Sequence, residues 1–290
     1  MKAEPNLDAA RRVVRTALAE DLAFGPDATT AATVPAGATT EAAFTTRQPG
    51  VLAGLPLVRL TLDEVIGADR YRVLEERPDG AALAAGDCAL RVHAPVRDLL
   101  TAERTALNLL CHLSGIATAT AAWVRAVAGT GCDVRDSRKT LPGLRALQKY
   151  AVRLGGGVNH RMGLGDAVLI KDNHVVAAGS AVAAVRACRA HAPELPMEVE
   201  VTDLDELDAV LAEGVELVLL DNFTPEGCAE AVRRTAERAP GTELEASGGL
   251  TLEVARAYAE TGVRYLAVGG LTHSAPALDL GLDLAEEPPA

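Results

Sequence analysis

Residues 197–222 read MEVEVTDLDELDAVLAEGVELVLLDN. Two apolar runs, MEVEV and ELVLLDN, flank a segment whose Leu204, Leu207, Val210 and Leu211 recur at helical spacing, so the stretch reads as strand, helix, strand. The pattern extends both ways. CDVRDSRK (132–139) and DAVLIKDN (166–173) precede it, and ELEASGG (243–249) and YLAVGG (265–270) follow it. The intervening SAVAAVRACRAH, PEGCAEAVRRTAER and TLEVARAYAETG have helical periodicity and polar faces. Six such units predict parallel strands with helical crossovers, in a doubly wound sheet or a barrel. Regular spacing and the lack of an early GxGxxG turn favour the barrel.

The first part of the chain reads differently. An amphipathic helix over Leu7–Leu22 carries Val13, Val14, Ala17 and Leu18 and breaks at Gly25-Pro26. Short alternating segments such as EAAFTTRQ and YRVLEERPDG, divided by Gly and Pro, surround a helix over Leu57–Ile66. This predicts a small α+β domain. A longer helical pattern over Val96–Val127 is interrupted near Ser114-Gly115, where the domain boundary is placed. The expected division is an N-terminal domain, residues 1–114, joined by 275–290, and a β/α catalytic domain, residues 115–274.

Composition narrows the function. The chain has 290 residues, 49% of them hydrophobic, only 3% aromatic, and a formal net charge of −12. Small aliphatic side chains packed in layers suit an α/β core, while the acidic balance argues against nucleic acid or an anionic membrane as partner. Five widely separated cysteines read as free thiols. With neither a secretory core at the N-terminus nor a stretch of about 18 uninterrupted apolar residues, a cytoplasmic protein is expected.

In β/α folds the ligand site lies at the carboxyl ends of the strands. Arg138 and Lys139 end the first run, Lys171 the second, Glu200 lies in the third, Asp221 ends the fourth, Ser247, Gly248 and Gly249 the fifth, and Val268, Gly269 and Gly270 the sixth. The last two groups are glycine-rich turns that open a helix, suited to phosphate or simply to ending a strand. His273 stands just beyond. Arg138, Lys139, Arg161 and Lys171, with His160 beside them, form a basic cluster suited to anions. Arg145 and Arg153 fall on helical stretches and read as surface charges. Glu200 and Asp221 suit a magnesium ion with substrate phosphates, a general acid and base, or ion pairs with Lys139 and Lys171. His93, His112, His174, His191 and His273 share no metal-ligand spacing. Lys171 alone would also suit a Schiff-base aldolase, and the scaffold a small-molecule sensor.

The motifs TAERTALNLLCHLSGIAT, DSRKTLPGLRALQKYAV, GGGVNHRMGLGDAVLIKDNH, EVEV, LLDNF, EASGGL and VGGLTHS resemble the quinolinate phosphoribosyltransferase family, as do EDLAFGPDATT and QPGVLAGL near the start. The resemblance implies an N-terminal α/β sandwich followed by an incomplete, six- or seven-stranded β/α barrel. It implies decarboxylating transfer from phosphoribosyl pyrophosphate to quinolinate, giving nicotinate mononucleotide for NAD biosynthesis, with magnesium and no organic cofactor; a relative acting on another pyridine acid is the nearest alternative. Arg104, Arg138, Lys139, His160, Arg161 and Lys171 would meet quinolinate, with Lys139 and Lys171 at the reacting centre. Lys139, Lys171, Glu200, Asp221, Ser247, Gly248, Gly249, Val268, Gly269, Gly270 and His273 would meet phosphoribosyl pyrophosphate, with Glu200 and Asp221 near the metal. Arg104 would act across a homodimer. Ser137 and Leu141 replace a common threonine and Gly270 a common alanine; no charge is lost.

Overall fold

The computed structural model describes residues 4–285 and divides into two compact units. The first takes the described residues up to Ala121, Thr140–Gly156, and the chain from Leu271 onward. Its elements are α1 (Leu7–Asp21), α2 (Ala28–Thr33), β1 (Thr39–Thr46), β2 (Gly50–Val51), α3 (Leu55–Val65), β3 (Arg72–Glu76), β4 (Ala82–Leu83), β5 (Cys88–Pro95), most of α4 (Val96–Ala126), α5 (Arg145–Leu154) and the last strand, β12 (Leu280–Leu284). The main sheet runs β12-β1-β5-β3, antiparallel throughout, and β2 pairs with β4 in a small ribbon.

Period explains the packing. Leu55, Val58 and Leu62 of α3, and Leu99, Ala102, Ala106 and Leu110 of α4, recur every three or four residues and are buried against Phe44 of β1 and Leu90 and Val92 of β5. The leucine, valine and phenylalanine side chains among them stabilise the fold by roughly 1.5–3 kcal/mol each when fully buried. Among the described residues α4 is the one helix long and apolar enough to cross a membrane, and more than half of its apolar stretch is buried inside the protein.

Two differences from the sequence reading have physical causes. The helix α4 continues through Ser114-Gly115 without a break. Gly115 stands there for a close approach: a Cβ on it would come within 2.1 Å of the Pro276 carbonyl oxygen. The segment Thr140–Gly156, expected in the barrel, packs with the first unit. Gly155 again explains it, since a Cβ there would lie 2.4 Å from the Ala117 carbonyl oxygen of α4.

The second unit takes Ala122–Lys139 and Gly157–Gly270. Its strands are β6 (Asp133–Arg135), β7 (Val168–Ile170), β8 (Met197–Val201), β9 (Leu217–Asp221), β10 (Glu243–Ser247) and β11 (Tyr265–Ala267), in the order β6-β11-β10-β9-β8-β7 and all parallel. Between them run α6 (Asp172–Ala178), α7 (Ala181–His191), α8 (Leu204–Leu211), α9 (Pro225–Arg238) and α10 (Ala255–Ala259), and α11 (Gly270–His273) follows β11. Ser180, Asp203 and Thr224 cap α7, α8 and α9 through their side-chain oxygens. The expected β/α barrel is present. Val158 adds a seventh, single-residue strand by pairing in parallel with Arg135. Among the described residues no ladder joins Val158 to β7, so the barrel has a seam.

Gly115→Ala should lower stability by about 1–3 kcal/mol, the ordinary range for overpacking. Urea unfolding checks it; an unchanged midpoint would mean that α4 yields easily at this contact.

Candidate active site

Strand alternation places every second side chain on one face of the sheet. In β8 the outward residues Met197, Val199 and Val201 are buried, while Glu198 and Glu200 share the opposite face. In β10 Leu244 and Ala246 are buried outward, and Glu243, Glu245 and Ser247 face the other way. The interior of this barrel is therefore charged.

At the deep level Arg135 Nη1 donates to Glu245 Oε2 at 2.8 Å, and the Arg135 guanidinium lies 4.7 Å from the Tyr265 ring centroid. His160 Nε2 lies 2.7 Å from Glu198 Oε2. Glu245 is fully buried, and burial, then the charge of Glu198, pushes its pKa up to about 8. Burial likewise raises Glu198 above the usual carboxylate range. A cavity of about 280 Å³ opens beside these groups between Asn159–Arg161 and the first residues of β8 and β9.

At the strand ends the groups are more exposed. Asp136, fully buried just past β6, accepts from the His160 N–H at 2.8 Å and from Asn159 Nδ2 at 2.6 Å. It ties the 159–161 segment to the segment carrying Arg138 and Lys139. Arg161 Nη1 donates to the Ala167 carbonyl at 3.0 Å. Burial, then the nearby Arg138 cation, lowers its pKa. Arg138 Nε is buried without a hydrogen-bond partner. Two guanidiniums repelling each other in a half-buried place form a standing demand for an anion.

Lys171 forms a short ion pair with Glu200, and its main-chain N–H donates to His174 Nδ1 at 2.9 Å. An ammonium engaged by a carboxylate is a poor Schiff-base nucleophile. Asp221 Oδ2 accepts from Asn222 Nδ2 at 2.8 Å, and the Asn222 N–H donates to the Ser247 carbonyl at 2.8 Å. Asn222 is left-handed at φ 57°. Gly248, at φ 92°, is required beside it: a Cβ would come within 2.2 Å of Asn222 Oδ1. Gly249 is also left-handed, at φ 59°. The buried Val268 donates its N–H to the Arg135 carbonyl at 2.9 Å, fixing the start of the Gly269-Gly270 turn. A Cβ on Gly270 would meet nothing within 4 Å.

The structure thus brings Arg138 to Arg161, Lys171 to Glu200, and Asp221 into register with Ser247. Lys139 is exposed, its N–H donating to Ser137 Oγ at 3.1 Å. His160 is buried, with one ring nitrogen on Glu198 and the other accepting from the Arg161 N–H at 2.7 Å. His273 is exposed, with Nδ1 2.6 Å from Ser274 Oγ. Arg104 keeps 64% of its side chain exposed on α4, beside Glu103 at 3.9 Å.

Comparisons with known proteins identify the family. The model of the quinolinate phosphoribosyl transferase N-terminal domain matches residues 27–114, and that of the C-terminal domain matches residues 116–283. The chain belongs to the quinolinate phosphoribosyl transferase family. It is 62% identical over 284 residues to the carboxylating nicotinate-nucleotide pyrophosphorylase of Mycobacterium leprae, covering 98% of this chain and all of the relative. The human protein of the same name is 40% identical over 257 residues, 88% of this chain and 85% of that one. The solved nicotinate-nucleotide pyrophosphorylase of Francisella tularensis superposes with a TM-score of 0.91 at 36% identity, over 98% of this chain and 99% of that one.

Reading strand ends alone misses Arg135, Asp136, Glu198 and Glu245. Alternation held the signal for two of them: a glutamate two residues before Glu200, and another two before Ser247, share the faces of those residues.

Gly248→Ala should displace Asn222 and with it Asp221, raising the KM of a phosphorylated substrate about tenfold, the equivalent of one hydrogen bond. Gly270→Ala should leave it within about twofold, since the added methyl meets open space. Steady-state kinetics on both variants decides this; equal effects would dissolve the distinction.

Proposed function

We propose that the strand ends of the second unit bind quinolinate and phosphoribosyl pyrophosphate, and that the chain makes nicotinate mononucleotide, diphosphate and carbon dioxide from them. Family membership supports the reaction. The observation that carries the site is the Arg138–Arg161 pair, with a buried guanidinium nitrogen lacking a partner, which suits a planar dicarboxylate.

The chemistry begins as the pyridine nitrogen attacks C1 of the ribose while the C1–oxygen bond breaks, its electron pair leaving with diphosphate. Positioning and electrostatics supply most of the acceleration. The pyridinium nitrogen then adjoins the C2 carboxylate. Breaking the bond from C2 to that carboxylate releases carbon dioxide and leaves an electron pair on C2, stabilised by the adjacent positive nitrogen. A proton then adds to C2. Lys139 and Lys171 are the ammonium groups for these steps.

Glu200 and Asp221 suit magnesium by chemistry: hard oxygen donors at adjacent strand ends, one already balanced by Lys171. When bound, the ion neutralises diphosphate charge. Ser247, Gly248, Gly249, Val268, Gly269 and Gly270, with His273 beyond, would hold the 5′-phosphate through main-chain N–H groups.

A homodimer fits the same proposal. Arg104 is exposed, as are Leu22 and Phe24 of the first unit, which suits a covering second copy. Free thiols at all five cysteines suit the cytoplasm.

Incubation with magnesium, phosphoribosyl pyrophosphate and quinolinate labelled in the C2 carboxylate should release carbon dioxide and nicotinate mononucleotide in equal amounts. Release of neither, with both ligands bound, would move the substrate to another pyridine acid. Arg138→Ala should raise the quinolinate KM by two or more orders of magnitude, the cost of leaving a buried charge partner unpaired, with little change for phosphoribosyl pyrophosphate. Nicotinate, one carboxylate short, should be a poor substrate. Mixed Arg104→Ala and Lys139→Ala subunits, each inactive alone, should recover activity; no recovery would count against a shared site.

A further inference from the structure

The deep carboxyls pose a question that the reaction does not answer. Glu245 Oε2 accepts from Arg135, but its Oε1 is buried with no donor. Glu198 Oε2 is satisfied by His160, and its Oε1 too is buried with no donor. The two side chains and the His160 ring bring ligand atoms within 4.8 Å of one another. Two carboxylate oxygens cannot bond without a hydrogen between them.

The His160 ring decides which glutamate holds it. Arg161 donates its main-chain N–H to Nδ1, so that nitrogen presents a lone pair and the ring hydrogen sits on Nε2, pointing at Glu198. Glu198 therefore accepts on one oxygen from His160. Its other oxygen still lacks a donor, as does Glu245 Oε1.

Cations and dipoles reach this pair from every side. Arg135 comes from β6, with Tyr265 of β11 beneath it; Lys171 comes from beyond β7, and His160 and Arg161 from the seam. At the same level β9 offers only Leu217 and Leu219. One positive guanidinium, one carboxylate, one neutral acid and one neutral imidazole sum to zero charge, the favourable balance for a buried cluster. The same three groups, with ligand atoms within 4.8 Å of one another, have the makeup of a metal site. A dication there would leave the cluster positive beside Arg135.

We propose that Glu245 is a neutral carboxylic acid donating to Glu198, and that both are positioning residues for quinolinate: they lock His160 as its Nε2–H tautomer and, through the ring, the main chain that carries Arg161. The positioning half rests on the reading of Arg161 as a quinolinate ligand.

The test compares Glu245→Gln, Glu198→Gln and Arg161→Ala in the full-length enzyme, measuring kcat, both KM values and melting curves against pH. Glu245→Gln keeps a donor toward Glu198 and an acceptor toward Arg135, so its quinolinate KM should stay within about twofold of the parent. An acid whose folded pKa is raised stabilises the fold at low pH and loses that contribution as pH rises through the folded value, about 8 here. The parent should lose melting temperature across that range, and Glu245→Gln should not. Glu198→Gln turns an amide N–H toward the Nε2–H or forces the ring to its other tautomer, breaking the Arg161 N–H bond. Its quinolinate KM should rise about tenfold with the phosphoribosyl pyrophosphate KM unmoved. Should Glu198→Gln not fold, nitrogen NMR of the His160 ring in the parent enzyme reports the tautomer directly.

A Glu245→Gln enzyme as impaired as Glu198→Gln, an Nδ1–H or doubly protonated ring, or a stoichiometric metal ion lost on Glu245→Gln would each overturn the proposal. If Arg161→Ala leaves the quinolinate KM unchanged, the positioning role falls, while the melting comparison still decides the proton.

Discussion

A guanidinium and a carboxyl buried together in the middle of a parallel barrel set the terms for everything above them. Arg135 and Glu245 come from strands separated in the sheet by β11, and their contact at 2.8 Å spans the interior. Removing Glu245 would leave a buried guanidinium N–H without its acceptor, a cost of about 1–3 kcal/mol or more for a charged donor. The barrel therefore has to deliver both at once. Its layers follow: apolar side chains outward against helices, charged ones inward, and the more exposed strand-end groups over a deep polar floor.

Asp136 connects that floor to the strand-end groups. Fully buried, it accepts from the His160 N–H and the Asn159 side chain. Two neighbouring chain segments, each carrying an arginine, are thereby held in register by one buried carboxylate. Such supporting contacts are what separate a precise site from a loose one.

Much of this was legible in the sequence. Runs such as ELVLLDN announce strands buried on the helix side, and the polar residues that end them gather at one end of the parallel sheet. The family resemblance itself was legible in the motifs, and the family models match it. His160 shows the limit. Nothing in the sequence around this histidine announces its contact with Glu198, because only three-dimensional closure brings β8 beside residue 160. The helix through Ser114-Gly115 shows another limit. Glycine and serine read as a break, whereas the structure uses the missing side chain of Gly115 to admit the backbone of Pro276. The placement of α5 with the first unit has the same origin in Gly155.

The seam of the barrel has a consequence for solubility. An exposed strand edge is a template for pairing with other chains, and β7 is the last strand of the open sheet. The segment from Asn159 to Ala167 runs between the two edges, and the Arg161 side chain bonds the carbonyl just ahead of β7. The stretch that carries Arg161 thus doubles as the guard of a strand edge, so a substitution there bears on solubility as well as on the groups at the strand ends.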